Sequence, residues 1–397
     1  MGHRRSGQAE NGKAPYYRDD QIHSIIGADR QDHTRMRRLL SHGFSSASMV
    51  EQQPMIRRYI NLLIQRLHEN SNGGRTPVDI AAWFNYTTFD IIGDLAFGES
   101  FGCLENSAMH PWIRIVFANL RTRAITKALS RLNFVDFLLP LLVSPQLIRQ
   151  GAELAQLTKD KVSKRLALSE PRPDFMQSMA TGKGTLSMSR EEIDKNAELL
   201  TIAGSETTAA TLAGAVYMLA THRAVKEKLE AEIRSSYTDE EEIDLLNAAK
   251  LPYLGAVVEE TLRMYPPAPN ALPRITPPQG DIILGESVPG NVVLAVSHWA
   301  MYHSESNFKH PMEFVPDRWL GDPEFSSDRR DCMNAFSFGP RNCIGKNLAY
   351  AELRMILARV MWNFDIKLAD RSSDWMNQRT FLAWEKEGLY IHLTPRT

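Results

Sequence analysis

Cysteine is scarce in this chain: Cys103, Cys332 and Cys343 are the three in 397 residues. An odd count, with no C-x-x-C pair and no Cys/His metal spacing, argues against a disulfide framework and a structural zinc site and fits a reducing compartment. A charge bias is missing too. The 46 Lys and Arg against 47 Asp and Glu leave a net charge of −1, so any basic partner surface must be local and nothing global points to nucleic acid. Long hydrophobic runs are also lacking. The longest greasy patch, "FVDFLLPLLV" from Phe134 to Val143, is too short to span a bilayer and is broken by Pro140. It reads as a buried helix or loop before it reads as a membrane-surface segment. The polar opening, "MGHRRSGQAENGKAPYYRDD", carries no apolar stretch of signal-peptide length.

What is present is enough apolar sequence, 43% of the residues, for a large core. The pattern predicts a mainly α protein with small β-sheets: a loose N-terminal arm over 1–31, then a single domain over 32–397. From Asp32 to about His68, apolar residues recur at helical spacing. "VDIAAWFNYTTFDIIGDLAFG" reads as a buried helix ending at Gly98, and 109–170 as mostly helical with a break at Pro140 and Pro145. Ser189 and Glu192 form an S-x-x-E capping box for a helix running to about His222. That helix is apolar nearly all round and should cross the centre. Helices follow over Val225–Ser235 and in "LPYLGAVVEETLRMYPP", stopped by Pro266 and Pro267. Ile282–Leu284 and Val292–Val296 read as a hairpin, and the closing "RTFLAWEKEGLYIHLTP" as a second.

The chemistry concentrates at "FSFGPRNCIG". Cys343 sits in a backbone cleared by Gly339 and Gly345, just before a helical pattern, with Arg341 two residues away. A helix N-terminus and a nearby cation stabilise a thiolate, and a thiolate in a shaped pocket suits a soft metal, above all iron. Alone, such a cysteine would be a packed core residue; the spacing of Phe336, Gly339, Arg341, Cys343 and Gly345 argues otherwise.

That segment resembles the F-x-x-G-x-R-x-C-x-G haem-binding loop of the cytochrome P450 superfamily. The resemblance implies a P450 fold and haem b, with Cys343 as the axial iron ligand. Other elements agree in order. "EETLR" supplies Glu260 and Arg263 at i, i+3, and "FVPDRW" supplies Pro316, Arg318 and Trp319; the family uses this set to fix the loop before the cysteine. "AGSETT" resembles the family's oxygen-binding motif on the long helix. Gly204 would let that helix widen, and Glu206 and Thr207 would pass protons, through water, for O–O cleavage. "DHTRMRR" gives His33 and Arg37, resembling the W-x-x-x-R element with His for Trp, and Arg274 in "LPRIT" matches another propionate contact. Arg35, Arg38, Arg341 and Lys346 would form a basic patch for an NADPH-dependent flavoprotein reductase.

The resemblance implies a monooxygenase that uses O2 and NADPH-derived electrons, of eukaryotic microsomal type and closest in texture to fungal members that oxidise polyketides, terpenoids or indole-type metabolites. Substrate contacts would include Leu199, Leu200, Asn270 to Leu272 and Phe381 to Ala383, mostly apolar, with Asn270 a polar anchor, so the substrate is a lipophilic small molecule. A monomer is expected. The family's membrane anchor, hinge and first strands find no room before His33, which leaves the 282–296 hairpin with an open edge. Location is then the cytosolic face of the endoplasmic reticulum by resemblance, or the cytoplasm without an anchor. Two alternatives stand beside the monooxygenase: a haem isomerase or dehydratase, which needs no proton relay, and a non-catalytic haem binder or inactive fragment.

Overall fold

The computed structural model of the chain describes residues 10–14, 23–111, 113, 124–125, 128–129, 145–168, 170–182, 184–270, 272–381 and 383–396. The patch at 134–143 lies outside them. Eight helices organise the described residues: α1 (Arg30–Ser41), α2 (Ser46–Ser71), α3 (Ile80–Phe97), α4 (Pro145–Ala167), α5 (Arg190–Thr221), α6 (Arg223–Ser236), α7 (Pro252–Met264) and α8 (Lys346–Asn363). The capping box forms as read: the Ser189 hydroxyl accepts from Glu192 N, and the Glu192 carboxylate accepts from Ser189 N at 2.8 Å. α5 is buried along most of its length and packs most closely on α3. Gly204 permits that approach, because a Cβ there would meet Ile92 Cδ1 of α3 at 2.8 Å.

The single helical run expected from Asp32 to His68 is two helices. Ser45 caps α2 by accepting from Ser48 N, and buried Phe44 turns inward to stack on Phe175 at 4.0 Å. An N-cap serine and an inward aromatic at the joint outweigh the continuous apolar spacing.

Three small antiparallel sheets complete the fold. The first has the order β1 (Gly12–Lys13), β3 (Arg274–Ile275), β6 (Val293–Leu294), with Lys13 opposite Arg274. The second joins β2 (Val78–Asp79), β8 (Tyr390–Pro395) and β7 (Phe364–Leu368). The third is the hairpin β4 (Asp281–Ile283) to β5 (Glu286–Val288). Both expected hairpins therefore need correction. The first turns early, at Leu284 and Gly285, where φ is positive at both, and Val293–Leu294 pairs with β3 instead. In the second, β8 leaves its neighbours to pair with β7 and β2. Local turn signals do not reveal such non-local partners. Within the stretch expected as a loose arm, β1 extends a sheet, Ile25 and Ala28 are buried, and Asn196 of α5 accepts from Ile25 N at 2.9 Å.

Among the described residues no helix is long and apolar enough to cross a membrane.

Where α7 meets the 315–319 turn lies a fully buried ion network. Glu260 accepts from Arg263 Nε and Nη2 (2.9 and 2.8 Å), Arg318 Nε (3.0 Å), Trp319 Nε1 (2.9 Å) and Val315 N (2.9 Å). Arg318 also donates to Asp328 at 2.5 Å, and Arg263 to the carbonyls of Tyr302, Pro311 and Glu313. The Tyr302 hydroxyl accepts from Asn334 N at 3.0 Å, and the Asn334 carbonyl accepts from Ser337 N at 2.8 Å, which carries the network to the loop before Cys343. Removing one partner strands the others without water, so Arg318→Ala should cost about 3–5 kcal/mol. Thermal unfolding of Arg318→Ala, beside an Arg318→Lys variant that cannot reproduce the fork, checks it; a melting point within a degree of wild type for either would refute the assignment.

Candidate active site

Cys343 lies three residues before α8, and its N–H donates to Phe336 O at 2.8 Å. The preceding loop is tightly turned: Gly339 has φ +83° and Ser337, not a glycine, φ +60°. An added Cβ on Gly345 would stand 3.9 Å from the Cys343 sulfur, so glycine keeps the sulfur's flank clear. Cys343 presents its surface to a cavity, while protein encloses its other sides. Burial pushes its thiol up; the Gly345 N–H and the charges of Arg37 and Lys346 pull it back. Arg341, expected to act on the sulfur, does not contribute. Its guanidinium is committed to Glu10 (Nε to Oε1, 2.5 Å) and the Ala28 carbonyl (3.1 Å).

The cavity leaves about 1570 Å³ free of protein atoms, its open mouth included. Cys343, Phe336, Ile344, Gly345 and Leu348 line one wall, and Leu199, Leu200, Ala203, Gly204, Thr207 and Thr208 of α5 another. Four basic residues line it as well: Lys13, Arg37, Arg274 and Arg341, with His33. Arg37 donates to the carbonyl (2.7 Å) and side chain (2.5 Å) of Asn342, beside the cysteine. Burial first, then the charges of Arg341, Arg37 and Lys13, hold His33 down to about 4, so it is a neutral imidazole able to donate one hydrogen bond. Burial, Arg274 and Arg341 push Lys13 down to about 7. Such a gathering of cations in a covered space calls for an anionic partner.

The structure brings together Cys343, Phe336, Gly345, Arg341, His33, Arg37, Arg274, Gly204 and Thr207. Gly339 shapes the loop and does not line the cavity. Glu206 is the departure: it is buried and not among the residues that line the cavity, with Lys386 Nζ 2.7 Å from its Oε1, an ion pair more than a well-angled hydrogen bond. Burial pushes the Glu206 carboxyl up, and Lys386 offsets this. α5 is helical throughout, and the Thr207 hydroxyl donates to Ala203 O at 2.7 Å, so the local widening at Gly204 is not seen. Asn270, read as a substrate anchor, instead donates to Phe381 O at 2.7 Å. The basic patch is thinned: Arg35 pairs with Asp32 and Glu192, and Arg341 with Glu10, leaving Arg38 and Lys346 exposed. Lys13 escaped the sequence reading because nothing in "NGKAP" is periodic; Lys386, in a charged run, reads as surface.

The cytochrome P450 family model matches residues 3–392. The chain belongs to the cytochrome P450 family. It is 47% identical over 400 residues to a trichothecene C-15 hydroxylase of Fusarium sporotrichioides, covering 100% of this chain and 81% of that protein. It is 44% identical to the cytochrome P450 monooxygenase astJ of Aspergillus oryzae (100% and 80% covered) and 44% identical to an averantin hydroxylase of Dothistroma septosporum (94% and 71%). The chain is thus a P450 monooxygenase. P450 enzymes use haem b with O2 and NADPH-derived electrons. The site fits that group: one sulfur donor in a cleared loop, and cations for its two carboxylates.

Lys13 gives a test that needs no substrate. Its folded value is depressed, so its stability contribution is complete only above the unfolded value of about 10.5 and is lost as pH falls through about 7. The haem-free P450 should therefore gain stability with rising pH across that window, and Lys13→Met should flatten the gain. Losing this charged contact, worth about 1.5 kcal/mol or more, should also weaken hemin retention at least about tenfold, read by transfer to apomyoglobin. Unchanged retention would remove Lys13 from the haem site.

Proposed function

We propose that this P450 hydroxylates an unactivated C–H bond of a lipophilic fungal secondary metabolite of polyketide, terpenoid or indole type, with electrons from an NADPH-dependent flavoprotein reductase. The observation that carries this reading is the pairing, in one cavity, of the Cys343 loop with an apolar α5 wall that bears Thr207. When bound, haem b activates O2 so that one oxygen atom goes to carbon and the other leaves as water.

The chain's own residues do the rest. Cys343 would hold the iron, and Arg37, Arg274, Arg341, Lys13 and His33 the carboxylates. Leu199, Leu200 and Leu272 line the same cavity and would seat the substrate through apolar contact and exclude water. Thr207 holds a hydroxyl at the α5 wall and would steer a proton there. Its presence speaks against an isomerase or dehydratase, which needs no proton delivery. Glu206, tied to Lys386, would brace the C-terminal segment against α5 rather than face the reaction. Arg38 and Lys346 would meet the acidic face of the reductase. The relatives' names support the substrate class: one acts on a trichothecene, another on averantin.

The reduced, carbon-monoxide-bound protein should show the long-wavelength band of a thiolate-ligated haem, and Cys343→Ala should lose it. A wild-type band at the position of histidine-ligated haem would overturn the assignment. Thr207→Ala should keep the band yet divert NADPH consumption toward hydrogen peroxide, by about tenfold or more if its proton steering has the usual worth of acid–base assistance. Unchanged peroxide yield would take Thr207 out of the relay.

A further inference from the structure

Two aromatic clusters of this chain differ in composition. Beside α3 the rings in contact are phenylalanines: Phe101 meets Phe89 and Phe97 edge-on. Between α5, the end of α7 and the C-terminal segment they are not. Trp384 stacks on Tyr265 with 4.8 Å between ring centres, Tyr265 meets Trp375 at 5.4 Å, and Trp375 meets Tyr217 of α5 at 5.5 Å. This row holds two tryptophans and two tyrosines and no phenylalanine. Each ring is also fixed by a hydrogen bond. Trp384 Nε1 donates to Pro266 O at 2.7 Å, Trp375 Nε1 to Glu387 O at 3.0 Å, the Tyr265 hydroxyl to Gln378 Oε1 at 2.8 Å, and the Tyr217 hydroxyl to Ser373 O at 3.0 Å.

One end of the row stands beside the cavity. Tyr265 follows α7 directly; Leu262, three residues earlier, and Pro267, two later, both line the cavity. The Tyr265 ring lies against α5 at Gly214, where a Cβ would meet its Cδ1 at 2.6 Å; Thr211, one turn before, lines the cavity too. Tyr265 and Trp375 are buried. Tyr217, at the other end, is half-buried, and its hydrogen bond is open to solvent. The row therefore runs from the cavity wall through the core to the surface.

Packing alone would be served by phenylalanine. Tryptophan and tyrosine add one property: they lose an electron more readily than any other side chain without sulfur. Resting on the monooxygenase reading above, we propose that Trp384, Tyr265, Trp375 and Tyr217 form a path that drains oxidising equivalents from the cavity when no substrate takes the oxygen. Once O2 has received two electrons from NADPH and no C–H bond is in reach, one oxygen atom needs two more electrons and two protons to leave as water. The row supplies the electrons one at a time. The tryptophans carry the vacancy as radical cations. Tyr265, whose phenol proton faces an amide oxygen that does not keep it, couples the two indoles without holding the vacancy. Tyr217 gives up an electron and releases its phenol proton to solvent, leaving a neutral radical. A small thiol then returns a hydrogen atom to it, and two such passes join two thiols as one disulfide. O2, NADPH, one proton and two thiols thus become two waters, NADP+ and the disulfide. Without the row, the same equivalents would fall on the Cys343 sulfur, which oxidises irreversibly beyond its first steps.

The test uses purified, substrate-free holoenzyme, with a peracid as the probe oxidant and rapid freezing for electron paramagnetic resonance. Wild type should show a tyrosyl radical. Tyr217→Phe should lose that signal in favour of a tryptophan radical, and Trp375→Phe should show no radical at Tyr217. With reductase and NADPH but no substrate, both variants should lose the carbon-monoxide band several-fold faster than wild type. Added glutathione should protect wild type and leave Tyr217→Phe unprotected. A merely structural role predicts none of these differences at unchanged melting temperature. Tyr217→Phe removes only a half-buried hydroxyl, so it decides the matter if Trp375→Phe does not fold. A wild type without a tyrosyl signal, a signal that survives Tyr217→Phe, or equal loss of the band in all three proteins overturns this inference alone. A wild type whose haem is inert to the peracid and to NADPH with reductase overturns the monooxygenase reading and this one together.

Discussion

The Glu260 carboxylate is the fixed point of the structure. Its position at full burial is tolerable only because five donors meet it, two from its own helix, and three from the 315–319 turn. The three from the turn belong to a segment that has no sheet ladder or long helix to hold it. The arginines extend the constraint outward: Arg263 satisfies the carbonyls at 302, 311 and 313, and Arg318 those at 309 and 310. A long stretch with little regular structure is thereby pinned by side-chain geometry, and through Tyr302 and Asn334 the pinning reaches the loop that aims Cys343. Specificity of shape, more than net stability, is what such a buried cluster supplies.

Around the cavity the charges are arranged in the opposite sense. Lys13, Arg37, Arg274 and Arg341 line one covered space, and Glu10 is the acid seen against them through Arg341. Burial first, and that crowding after it, push Lys13 and His33 down. Two carboxylates from haem b would turn that repulsion into attraction, and binding of the group would then be coupled to the fold at β1. The strand β1 contributes Lys13 to the cavity and pairs with the strand that carries Arg274, so the same two-residue ladder sets both cations.

Elements whose signals are local were legible in the sequence. The Ser189 capping box, the Gly98 terminus of α3 and the motif loop at Cys343 all appear where their residues imply. Partners set by distant segments were not. β8 pairs with β7 and β2 rather than with its neighbours, and Val293–Leu294 with β3, because sheet pairing depends on which edges the helices bring together. The break at Phe44 was hidden by apolar residues on both sides. In the site, family motifs named the residues facing the cavity but misplaced Glu206, whose orientation is decided by Lys386, 180 positions away.

Glu206 and Glu352 show how environment divides labour between identical side chains. Both are buried, and burial raises both. Lys386 offers Glu206 an ammonium at 2.7 Å, which offsets part of the effect of burial and fixes the side chain in a bridge. Glu352, buried with one oxygen unpartnered, has no such ammonium, and burial raises it to about 8. The same side chain is thus held as an ion-pair partner in one place and kept neutral by burial in the other.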